Sequence, residues 1–210
     1  AESESIVIPW SDLWKAMRYL DENRRMSLLR ILMSLFGRSA QSEIVDPRSI
    51  VLLQRRLHRF SKEELQSAGE HGWSKKFDGK EDPMYFVFAD SPILTVVRAG
   101  THTIRVTTFP ARYNEDDEYA LSQLPQPEQK QAWNEHHAFV LLEFFNDLSS
   151  KAKRIPDVEA YSSLAKLALH LGDPNCSAIV MPVKNIMMPN DGTAEEGLRL
   201  LVNKILPLQH

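Results

Sequence analysis

The chain has 210 residues, 43% of them hydrophobic and 25% charged, with a formal net charge of −3. That size and balance suit one folded domain with a terminal extension and exclude a disordered polyelectrolyte. A pI near 6.2 gives no general attraction to nucleic acid, and a lone cysteine, Cys176, excludes an intrachain disulfide and a multi-cysteine zinc site.

Residues 1–8 read as a polar leader with no basic start and no long apolar stretch, so it is not a secretory signal. From Pro9 a helical stripe begins: Trp10, Leu13, Trp14, Met17 and Leu20 recur at three- and four-residue spacing. After the charged break at 21–25, a second apolar stretch, Met26 to Phe36, stops at Gly37. It is too short and too charged to cross a bilayer. Residues 1–37 are therefore expected to form a helical extension that docks on the body or holds another subunit. Lying on a membrane surface is the other reading.

Residues 38–48 read as a linker, and 49–210 as the main domain. Ile50–Leu53 is a buried strand. Ser61-Lys62-Glu63-Glu64 is a capping box that opens a helix with Gly72 as its stop, and Asp78-Gly79 marks a turn. Met84–Ala89, Ile93–Ala99 and His102–Phe109 are three strands. Gly100-Thr101 is a two-residue hairpin turn, which puts Val97, Ala99, Ile104 and Val106 on one face and Arg98, Thr103, Arg105 and Thr107 on the other. Residues 110–135 break the strand pattern as an acidic, proline-marked insertion with a short helix near 128–133.

Ala138–Phe145 is apolar on both parities, as a strand covered on both faces would be. Asp157 is a good N-cap for a helix with the stripe Val158, Tyr161, Leu164, Ala165, Ala168 and Leu171, closed by Gly172. Cys176–Met181 is the next strand. Thr193-Ala194-Glu195-Glu196 is a second capping box, opening a helix with Leu198, Leu201, Val202 and Ile205 on one side. The fold expected is α+β: a mostly antiparallel, twisted sheet of about six strands with helices on one face. The order strand–helix–strand occurs at 50–89 and again at 138–181, which suggests two related halves.

Few residues carry chemistry. Glu143 is a carboxylate inside an apolar strand, on the parity of Phe139, Leu141 and Phe145. A buried carboxylate takes a partner or a raised pKa, and the latter can act as a general acid. The bland counterpart is an ion pair with Arg98 or Arg105. Glu143, His102 and His137 are the candidate catalytic set. His136 and His137 are adjacent, so in an extended chain they point to opposite faces, unlike the four-residue spacing that chelates a metal on a helix; either could still join distant His102 or His71. Cys176 reads as a packed thiol, the basic run Gln54–Arg59 as a solvated loop, and the acidic run Glu115–Glu118 lacks calcium-loop spacing. No glycine-rich phosphate loop and no Gly-x-Ser-x-Gly elbow is present, so neither a cofactor nor a metal is expected.

Ser49–Leu53, the helix Ser61–Trp73 and Tyr85–Ala89 resemble the front of an uncharacterised bacterial domain family. His136-His137-Ala138-Phe139-Val140, Tyr161 to Ala168 and Ala178-Ile179-Val180-Met181-Pro182 resemble its back, so the likeness covers 49–190. It implies a compact α+β fold in bacteria, with no activity and no site residue to carry over.

With no coherent catalytic set, the leading expectation is a non-enzymatic, cytoplasmic binding or scaffolding module. Its partner is a protein or a second copy, engaged through the N-terminal helices, and neither nucleic acid nor a transmembrane segment is expected. The alternatives are a small-molecule or hydrolytic enzyme using Glu143 with His102 or His137, and a peripheral membrane protein attached through Leu28–Phe36.

Overall fold

The computed structural model describes residues 48–91, 94–114, 117–145 and 155–203. The chain divides into two units, Ala1–Asp46 and Pro47–His210, and every described residue belongs to the second. The expected helical extension over 1–37 and nearly all of the linker 38–48 lie outside the described residues.

In chain order the second unit runs β1 (Ser49–Gln54), α1 (Lys62–Trp73), β2 (Tyr85–Ser91), β3 (Leu94–Ala99), β4 (His102–Phe109), α2 (Asp117–Gln123), α3 (Pro127–Glu135), β5 (Ala138–Phe145), α4 (Asp157–Leu171), β6 (Cys176–Met181), a 3-10 turn (Pro182–Lys184), β7 (Ile186–Pro189) and α5 (Thr193–Val202). The strands form one sheet in the order β2-β3-β4-β5-β1-β6-β7. Every neighbouring pair is antiparallel. This is the α+β architecture expected, with a seventh strand. The extra strand, Ile186-Met187-Met188-Pro189, is short and ends in proline, so it carries no alternating signal. It pairs with β6 across the turn at Asn185, a non-glycine residue at φ 50°.

Burial follows the period-two rule. Ile50 and Leu52 of β1, Val140, Leu142 and Phe144 of β5, and Ile104 and Val106 of β4 face a main core built with α1, α4 and α5. Val51 and Leu53 face a second cluster with Ala132, Trp133, Ala178 and Met187, to which Ala120, Leu121, Leu124, Phe139 and Leu141 add. Helices therefore lie on both faces, against the expectation of one. The physical reason is legible in β1 and β5, which are apolar on both parities and need a cover on each side.

Local chemistry explains the helix ends. Ser61 Oγ accepts the Glu64 amide and Glu64 Oε2 accepts the Ser61 amide at 2.6 Å, so the first capping box forms. The helix then runs past Gly72 to Trp73 and stops at Ser74 in the left-handed region. Gly72 serves packing instead: a Cβ there would come within 3.2 Å of the Lys166 carbonyl on α4. Two expected caps shift by one residue. Pro156, not Asp157, holds the N-cap position of α4, and Asp157 occupies the first turn. Gly192 at φ 104° precedes α5, and Asp191 Oδ1 accepts the Thr193 amide at 3.0 Å, so the Thr193–Glu196 box is not made.

The hairpin between β3 and β4 has the expected register, with Val97 opposite Ile104, Arg98 opposite Thr103 and Ala99 opposite His102. Gly100 takes φ 63° there, the conformation a two-residue turn demands. The two strand–helix–strand segments repeat in order but not in span. β1 and β2 stand with β5, β4 and β3 between them, whereas β5 and β6 have only β1 between them.

Candidate functional site

Glu143 and His102 lie on opposite faces of the sheet. Glu143 stands directly across from Arg105 in the β4–β5 ladder. Arg105 donates to Glu143 Oε2 through Nε at 2.7 Å and also through Nη2. The guanidinium lies 4.9 Å over the Phe145 ring. Glu143 is only 7% exposed, so its charge is compensated where it is buried. That is the ion-pair arrangement, with the carboxylate's strong acceptor taken up by the guanidinium.

His102 begins β4 and lies on the main-core face with Ile104 and Val106, the side covered by α4. Its Nε2 is 3.1 Å from Glu159 Oε1 and its Nδ1 is 2.7 Å from Ser163 Oγ, both on α4. The ring also rests 5.5 Å from Phe144. A serine, a histidine and a glutamate thus occur in hydrogen-bonded series, but the serine is buried away from any substrate. Ser163 Oγ has a second acceptor in the Glu159 carbonyl at 3.0 Å, one turn back in the same helix. Ser163 is also 3% exposed, in the middle of α4. The set fastens the start of β4 to α4.

His137 is exposed, and its main-chain amide donates to the Gln54 carbonyl at 2.8 Å. Its neighbour His136 is fully buried: Nε2 accepts the Tyr113 amide at 3.1 Å and Nδ1 donates to the Trp133 carbonyl. One histidine of the pair is packed and the other solvated. Glu143, His102 and His137 are not brought into one site.

The other sequence features resolve into structure. Cys176 is buried, and desolvation, with the Asp173 charge behind it, pushes its thiol up to about 12, so it is an inert packing group. The basic run is not simply solvated. Arg55 donates to Glu135 at 2.8 Å and to the carbonyls of Pro174 and Cys176 at 2.6 and 2.9 Å, tying β1 to α3 and to the start of β6. Buried Arg48 donates to the Ile155 carbonyl at 2.6 Å and stands over Phe144, which pins the entrance of α4.

A cleft of about 330 Å³ opens where the last turns of α1 and α4 meet, lined by Phe60, Glu64, Ser67, His71, His170 and Asp173 among others. The rings of His71 and His170 lie 5.4 Å apart, tilted by 35°. His71 Nδ1 donates to the Ser67 carbonyl at 2.7 Å, which leaves Nε2 for the cleft. Burial lowers the pKa of His170, and the nearby His71 and Arg199 charges act the same way. The sequence offers His71 only as a distant partner of His136 or His137. The pairing with His170 depends on how α1 crosses α4, for which neither local pattern carries a signal.

Among the described residues, no three ligating side chains gather as a metal site, and no helix is long and apolar enough to cross a membrane. Compared with protein-family models, curated proteins and solved structures, the chain finds no match in any of the three.

Proposed function

We propose that this protein is a non-enzymatic binding or scaffolding module that associates with a second copy of itself through the apolar helical stripes of residues 1–37, in a reducing, cytoplasmic setting. One observation carries the non-enzymatic half of the reading: the Arg105 fork neutralises Glu143 on the sheet face opposite His102. Strand parity keeps Glu143 and His102, the pair that an enzyme built on that carboxylate would have to combine, on opposite faces. Self-association rests on the sequence. Trp10, Leu13, Trp14, Met17 and Leu20 recur at three- and four-residue spacing, and Leu28 to Phe36 is strongly apolar, the pattern of helices that would need cover.

Size-exclusion chromatography with light scattering, on the full chain and on a chain lacking residues 1–37, tests this reading. The full chain should run as a dimer or larger assembly and the shortened chain as a monomer. Two monomers would sink the proposal. Co-sedimentation of the full chain with anionic vesicles, lost when 28–36 is removed, would move the reading to a membrane surface. Ester hydrolysis abolished by His102→Gln would move it to an enzyme.

A further inference from the structure

The cleft between α1 and α4 holds two imidazoles in an arrangement that packing alone does not require. We propose that His71 and His170 form a two-histidine chelate for one divalent transition ion of the zinc or nickel class, with water completing the coordination.

Geometry carries the assignment. Two imidazoles on one tetrahedral ion, each bonded at about 2.0–2.1 Å, hold their ring centres about 5 Å apart; here the centres are 5.4 Å apart. A histidine ligand characteristically donates its other ring N–H to a carbonyl or carboxylate, which fixes the tautomer and aims the free nitrogen. His71 does this through Nδ1 to the Ser67 carbonyl. Both rings are exposed at the mouth of the cleft, so an ion has a path in.

The surrounding charges explain why the site stops at two protein ligands. Glu64 is held by the Ser61 amide at 2.6 Å and by His58 at 3.0 Å. Asp173 Oδ1 accepts the amides of Asn175 and Cys176 at 2.9 and 3.2 Å. Both carboxylates line the cleft as fixed negative charges that favour a cation without reaching it. Arg199, the opposing charge, is paired with Glu195 at 2.7 Å. The ion would bridge helices far apart in sequence, so its binding should also hold α1 against α4.

The test uses the untagged full-length chain, stripped with chelator and desalted, then titrated with zinc chloride against a chromogenic zinc indicator at pH 7.5. One saturable equivalent is expected. His71→Gln and His170→Gln should each weaken it at least about tenfold, as loss of a ligand or its support does, while His137→Gln leaves it unchanged. Carbethoxylation footprinting on the unsubstituted chain supplies a readout that needs no variant. Zinc should protect His71 and His170 from modification and leave exposed His137 reactive. No saturable binding below millimolar zinc, affinity that neither substitution changes, or no protection of either ring would each overturn the proposal.

Discussion

Asp191 stands two residues ahead of where a sequence reading puts the cap of α5, and it does the work expected of Thr193. Its carboxylate accepts the Thr193 amide at 3.0 Å and the Thr193 hydroxyl as well. Those two bonds hold its pKa below the ordinary carboxylate value, the side-chain bond first. A depressed folded-state pKa means stability that is present above the unfolded value of 3.8 and lost as the pH falls through the folded one. Asp191→Asn should therefore cost about 0.5–1 kcal/mol in urea unfolding at pH 7, the small end expected of an exposed cap. The difference between variant and parent should vanish near pH 2. A gap that persists undiminished in acid would show that the charge is not what matters. Glu143 was legible in part. Its place in an apolar strand foretells a partner, and Arg105 was one of two arginines within reach. Choosing between them needs the β4–β5 register, which is set by a pairing across the insertion at 110–135 and not by any local pattern.

At the scale of elements, periodicity located β1 to β6 and the three long helices, because each carries an apolar stripe or alternation that burial rewards. It missed β7 and α2 for the opposite reason: four residues ending in proline, and a seven-residue helix in an acidic stretch, have too few repeats to register. Glycines mislead in a similar way. Gly69 lies inside α1, where alanine would normally add about 0.5–1 kcal/mol of helix stability. Here a Cβ would meet the Phe77 ring at 2.7 Å. Phe77 is fully buried, with Tyr85 against its edge at 5.4 Å and Trp73 at 5.8 Å. Gly69→Ala should therefore destabilise the protein by about 1–3 kcal/mol net, as overpacked cores do. A raised urea midpoint would show that the Phe77 cluster yields freely.

At the scale of the whole molecule, stability should fall from the middle of the sheet outward. β1 is buried along its whole length between β5 and β6, while β2 and β7 are the sheet's ends. Native-state hydrogen exchange should find the slowest amides in β1 and β5, near the global unfolding limit, and faster ones in β7. Equal protection in β7 and β1 would contradict that gradient. The position of β1 also bears on how the chain is made. Ile50 to Leu53 leave the ribosome before both of the strands they pair with, since β5 and β6 follow the whole β2–β3–β4 meander and the insertion. For that interval a fully apolar strand has no neighbour, and the sheet cannot be sealed until the second strand–helix–strand segment emerges. The meander can pair within itself early, so synthesis should pass through a species with β2–β4 assembled and β1 unclaimed. That species is the one a holding chaperone would meet.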